Sequence, residues 1–248
     1  MPHSQSSPVD SAPGEIPPPE RVEPTGDEVD LALHQAVQRA LFALPSRFKS
    51  TLNIEGVLAT DLHAFNASLG ASIEEQVVAA LNDLRKSWDP DGKYPMHQFV
   101  RSAQRFPDVT LRSMVLGDPA PPLLGIELKG WYVLSKEGEP SGRYKVTPAA
   151  CAPQDLVVVV PWALTNALSG TPRLFAPYIE SARYVAEYRN WWWQHKRGAR
   201  TARTGIASPR DATPYPARKA DKILDVPESD SSGNFGRIPG ESGEPLNR

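Results

Sequence analysis

Two short stretches hold residues whose types and spacing suit chemistry. "RFPDVTLRS", residues 105–113, contains Pro107-Asp108, and "GIELKG", residues 125–130, contains Glu127 and Lys129. Side chains alternate across a strand, so Glu127 and Lys129 share one face while Ile126 and Leu128 share the other. If the two stretches are neighbouring strands joined through "GDPAPP" (117–122), Asp108 comes alongside Glu127. Two carboxylates held close repel each other, and a divalent cation between them relieves the repulsion. A hard ion suits this set: Mg2+, or Mn2+ in its place, held by Asp108, Glu127 and the backbone carbonyl of Leu128. Lys129 beside them can orient or deprotonate an associated water and counter the charge that develops on phosphorus. Taken singly, each motif is also compatible with strand punctuation, Asp108 capping a turn and the Glu-Lys pair forming a solvated edge where lysine is common.

Positioning such a cluster takes a folded core, and the chain has one of ordinary size. Of its 26 prolines many fall near the ends of the 248 residues. Residues 1–27 and 204–248, rich in Pro, Gly, Ser and Asp, read as a disordered leader and tail, which leaves a single domain over 28–203. The leader carries five acids and one base, whereas 28–200 carries 17 acids and 19 bases, so the overall charge of −2 conceals a mildly basic core. That balance permits a nucleic-acid partner without requiring one. Cys151 stands alone, which excludes an intramolecular disulfide and a cysteine-based zinc site. No apolar run reaches membrane-spanning length and no secretory or transit signal opens the chain, so a cytoplasmic location with no membrane partner is expected.

Periodicity predicts a helix over 28–44 through Val29, Leu33, Val37, Leu41 and Leu44, stopped by Pro45. A second helix is predicted over 71–88, capped by Ser72, with Ile73, Val77, Ala80, Leu81 and Leu84 on one face and Glu74 and Glu75 in its first turn. "DPDGKYP", 89–95, is a turn. The period then shortens: strands are expected at 97–102, 108–116 and 123–135, with a further one at 142–147. The four valines inside 155–164 predict a central strand buried on both faces. Asp155, at its start, reads as a strand cap or a supplementary acid. A long helix is expected over 176–200. The fold class is therefore α/β or α+β with a mixed sheet.

In this setting the motifs resemble the PD-(D/E)XK nuclease superfamily, which includes many restriction endonucleases and repair nucleases. The resemblance rests on Pro107-Asp108, on Glu127 and Lys129 flanked by Gly125 and Gly130, on the preceding acidic helix, and on the buried strand and helix that follow. It covers roughly 70–200 and implies a restriction endonuclease-like core, a central four-stranded mixed sheet flanked by helices in αβββαβ order. It also implies a further glutamate on the first core helix: Glu75, with Glu74 as the alternate. The catalytic set is then Asp108, Glu127, Lys129 and Glu75, and the reaction is Mg2+-dependent hydrolysis of DNA phosphodiester bonds in restriction or another defence role. A repair or recombination nuclease of the same fold is the alternative, as is a non-catalytic nucleic-acid-binding or scaffold protein. Expected partners are DNA, a second copy of the chain (one site per strand of a duplex), and a cognate methyltransferase or other defence component. The stretch "GWYVLSKEGEPSGRYKVTPAACAPQ" departs from the superfamily pattern, having Gly, Pro and Ser where a helix should propagate.

Basic residues suited to phosphate contact are Arg101, Arg105 and Arg112 near the motifs, Lys136, Arg143 and Lys145 in the excursion, and Arg189, Lys196, Arg197, Arg200 and Arg203 at the end of the last helix. Trp191, Trp192 and Trp193 point in three directions on a helix, so they suit core packing better than base stacking. His34, His63, His97 and His195 show no metal-ligand spacing.

Overall fold

Val157 to Val160 are each no more than 1% exposed, and a strand buried this deeply needs partners on both edges as well as cover on both faces. The computed structural model supplies them; it describes residues 16–26, 29–56, 58, 62–101, 106–134 and 148–191. The elements run α1 (Leu31–Arg47), α2 (Leu62–Asp83), α3 (Arg85–Trp88), β1 (His97–Arg101), β2 (Val109–Ser113), β3 (Leu124–Tyr132), a 3-10 turn (Pro148–Ala150), β4 (Leu156–Leu164), β5 (Pro172–Leu174), β6 (Tyr178–Ser181) and α4 (Ala182–Trp191). One mixed sheet is ordered β1-β2-β3-β4-β5, with β6 also on β4. Only β3 and β4 run parallel; the other pairs are antiparallel.

The protein is thus α+β, and among the described residues its sheet has six strands, not the four expected. The two extra strands share the outer edge of β4: β5 pairs with Trp162–Leu164 and β6 with Leu156–Val159. The expected helix over 176–200 begins only at Ala182, because 178–181 closes the edge of β4 instead. The strand expected over 142–147 lies outside the described residues.

Alternation divides the sheet cleanly. Leu124, Ile126, Leu128, Leu156, Val158, Val160 and Trp162 face the main core with Val37, Leu41 and Leu44 of α1 and Ile73, Val77 and Leu81 of α2. On the other face Val157 joins Phe106, Ala150, Cys151, Ala182, Val185 and Ala186 in a smaller cluster under α4.

Two helix boundaries differ from expectation. α1 runs past Pro45 to Arg47, its last turn closed by the Phe48 amide donating to Leu44 O at 2.8 Å. α2 starts at Leu62, so Ser72 sits inside a helix rather than capping one. The helix passes through Gly70 where it meets β3: a Cβ on Gly130 would stand 3.5 Å from Gly70 Cα.

The outer edge of β1 is occupied by side chains of α2 and α3. Asn82 accepts from Phe99 N–H and donates to Phe99 O, both at 2.9 Å, and Arg85 donates to Tyr94 O and His97 O. Part of the leader touches the sheet: Arg21 pairs with Glu180 at 2.7 Å.

Candidate active site

Pairing between β2 and β3 ends at Val109 opposite Ile126, while β3 continues to Tyr132. Past that point β3 is paired, among the described residues, with β4 on one side only, and the motif residues gather at the other edge. Asp108, one residue before β2, donates its backbone N–H to Glu127 Oε2 at 3.3 Å. Lys129 Nζ donates to Glu127 Oε1 at 2.6 Å and lies 3.5 Å from Asp108 Oδ2. Glu127 is the most enclosed of the three, with 8% of its side chain exposed against 22% for Asp108 and 28% for Lys129.

Backbone direction adds a fourth group. N–H and C=O of alternate residues in a strand address the same edge. Gly125 N–H reaches Asp155 and Val133 N–H reaches Trp162 O, so odd-numbered residues face β4. Gly130 N–H turns the other way, to Glu74 Oε1 at 3.3 Å. Leu128, of the same parity, therefore turns its carbonyl to the open edge beside Asp108, while its side chain stays in the core.

Glu74, not Glu75, is the helical glutamate brought to this edge. Its second oxygen accepts from Arg101 at 3.1 Å, and its charge is felt at Lys129. Glu75 is exposed. Helix phase explains the difference: at roughly 100° per residue, Glu75 lies about 175° from the centre of the Ile73–Leu84 stripe, whereas Glu74 borders it. That signal was present in the sequence.

The cluster also fixes the charge of its lysine. Burial pulls the Lys129 ammonium down, but the carboxylates of Glu127 and Asp108, with Glu74 behind them, outweigh it and raise the pKa well above the usual lysine range. Lys129 is held protonated at neutral pH. It can orient a water or neutralise a phosphate.

A bracket behind the site sets the spacing. Asp155 is 1% exposed and accepts from Gly125 N–H at 2.8 Å and Ala152 N–H at 2.9 Å, so it is the strand cap expected and lies behind β3, away from the open edge. Pro107, joined to Phe106 by a cis peptide, packs on Gly125 so closely that a Cβ there would stand 2.4 Å from Pro107 Cγ and 2.6 Å from Asp155 Oδ1. The absent side chain at Gly125 lets Pro107-Asp108 settle against β3.

Among the described residues no three His, Cys, Asp or Glu side chains come together as a metal site. What the edge offers is two carboxylates and a carbonyl, a set that suits a hard ion retaining several waters and suits zinc or copper poorly.

No family model, curated protein or solved structure matches the chain.

The remaining candidates separate. Arg112 is exposed on β2, on the face opposite the buried Leu111, and Arg101 is ion-paired to Glu74. Arg189 is 2% exposed, which withdraws it from phosphate contact; it lies on the buried side of α4, where sequence position alone suggested only a basic helix end. Arg105, Lys136, Arg143, Lys145, Lys196, Arg197, Arg200 and Arg203 lie outside the described residues, as do Trp192, Trp193 and His195. No described helix is long and apolar enough to cross a membrane.

Proposed function

We propose that the protein is a divalent-metal-dependent nuclease that hydrolyses phosphodiester bonds in DNA, built on a restriction endonuclease-like core and acting in restriction or a related defence role. The observation that carries this reading is the convergence of Asp108, Glu127 and Lys129 at the edge of β3 where β2 has ended. Asp108 and Glu127, with the carbonyl of Leu128, would hold Mg2+. When bound, that ion supplies Lewis-acid polarisation of the scissile phosphate and lowers the pKa of water.

The chain's own residues do the rest. Lys129, held charged by its two carboxylates, fixes the attacking water and offsets negative charge building on the phosphoryl oxygens. Glu74 sits one step out, fixing the edge through Gly130 N–H and holding Arg101 nearby. Arg112, exposed on β2, would meet a phosphate of the duplex. Cleavage of both strands calls for two copies of the chain, one site for each.

The test is incubation of plasmid and of single-stranded DNA with the purified protein in Mg2+ or in EDTA, alongside Asp108→Ala and Lys129→Ala. Removing one preorganised charge of this kind costs about 10²–10³ in rate. Cleavage that persists in EDTA, or that both variants retain in full, refutes the assignment.

A further inference from the structure

α4 is buried on two sides, and the sheet accounts for one of them. Ala182, Val185 and Ala186 face the cluster under β4, yet Tyr184 and Tyr188, on another flank, are only 4% and 2% exposed. With Trp191 they form an aromatic ladder, ring centroids 6.0 Å apart from Tyr184 to Tyr188 and 5.4 Å from Tyr188 to Trp191. Both ends of this ladder touch the leader. Trp191 Nε1 donates to Ile16 O at 2.8 Å, and the Arg21 guanidinium lies 4.7 Å from the centroid of Tyr184 while bonding Glu180 on β6.

Between the two anchors stand Pro17, Pro18, Pro19 and Glu20. A polyproline II segment rises about 3.1 Å per residue, so the five steps from Ile16 to Arg21 reach about 15 Å. α4 rises roughly 10 Å from Tyr184 to Trp191. The segment therefore crosses the ladder against the direction of the helix, and Pro19, one polyproline turn from Ile16, is the half-buried member of the triplet.

We infer that α4 and β6 form a binding site for a proline-rich segment followed by arginine, and that residues 16–21 are its tethered occupant. The chemistry is that of polyproline recognition: carbonyls with no internal partner accept from an indole N–H, aromatic faces receive proline rings, and little order is lost because proline sets its own φ. Glu180, with 14% of its side chain exposed, reads the arginine. A free segment of the same chemistry enters only when the tethered one leaves.

A fluorescein-labelled peptide of residues 16–25 tests this by anisotropy against the full chain. A short tether holds its ligand at an effective concentration of about 1 mM, so a peptide with an intrinsic Kd of about 0.1 mM binds roughly tenfold more weakly while the groove is filled. Arg21→Glu, which sets the leader against Glu180, is expected to bind the peptide about tenfold more tightly than the wild-type chain, with Arg21→Ala as the second variant should Arg21→Glu misfold. Arg21→Glu with Glu180→Arg re-pairs the leader, repels the arginine of the peptide and abolishes the gain. In Trp191→Phe, which keeps the ring and deletes the donor, trypsin cuts after Arg21 several-fold faster than in the wild-type chain. Equal peptide affinity for wild-type and Arg21-substituted chains, no peptide binding to a folded Arg21 variant, or an unchanged tryptic rate in Trp191→Phe overturns the inference.

Discussion

Gly125→Ala adds one methyl group where the site has no room for it. The new Cβ would lie 2.4 Å from Pro107 Cγ and 2.6 Å from Asp155 Oδ1, where ordinary contact begins near 3.4 Å. Asp155 is tied to two backbone amides and is 1% exposed, so it cannot yield; Pro107 must retreat by about 1 Å. Overpacking of this kind costs about 1–3 kcal/mol. The retreat also carries Asp108 with it, and the 3.3 Å bond from Asp108 N–H to Glu127 does not survive such a move. If Asp108 and Glu127 act together, a displacement of roughly 1 Å lowers turnover by about 10². Gly130→Ala is the control within the same strand, since its nearest neighbour is Gly70 Cα at 3.5 Å, an ordinary contact. Urea denaturation read by tryptophan fluorescence measures the stability of both variants, and plasmid nicking in Mg2+ measures activity. A Gly125→Ala chain as stable as wild type, or one that loses no more activity than Gly130→Ala, refutes the argument that this glycine sets the distance between Asp108 and Glu127.

Three further outcomes follow from the same geometry. Glu74→Ala, which frees Gly130 N–H and Arg101, is expected to lower DNA cleavage by about tenfold or more, whereas the exposed Glu75→Ala leaves it unchanged; equal effects would remove Glu74 from the site. Asp155→Ala strands two buried amides at about 1–3 kcal/mol each, so a denaturation midpoint within error of wild type would contradict the bracket. Asp30 caps α1 through Leu33 N–H and accepts from Lys93 and Tyr94; the Lys93 bond, then that from Tyr94, holds its carboxyl well below the usual range. Because the folded pKa is depressed, its stabilisation is complete above about pH 4–5, and is lost as pH falls through the folded value. Asp30→Asn is therefore expected to cost about 1 kcal/mol at pH 7 and less at pH 3, and a gap that widens on acidification would reverse the sign of this account.

What the sequence made legible was local. Strand alternation places Glu127 and Lys129 on one face, four consecutive valines mark the central strand, and the apolar stripe of 73–84 is the face α2 turns to the sheet. The same stripe held the answer for Glu74 over Glu75. What stayed hidden depends on residues far apart in the chain. Tyr178–Ser181 suits a strand or a helix start equally well by composition, and only the unpaired edge of β4 decides it. Asp155 stands 30 residues from the amide it holds, and Arg21 stands 159 residues from Glu180. No window of sequence contains either pair. The start of α2 was misjudged because Ser72, with Glu74 and Glu75 after it, imitates a helix start inside a helix that already runs from Leu62.

Asn82 has a bearing on assembly. By presenting both an acceptor and a donor to Phe99, one amide side chain occupies the place that a neighbouring strand would take, and Arg85 fills the next carbonyls along. An incoming strand finds the β1 border already spoken for. Two subunits that meet on this side must do so through faces and loops, not by fusing two sheets into one. If two copies do meet there, such a joint can be re-angled by substitutions at the contact without disturbing the register of either sheet, so the distance between the two Asp108–Glu127–Lys129 clusters would be free to change while each cluster stays as it is.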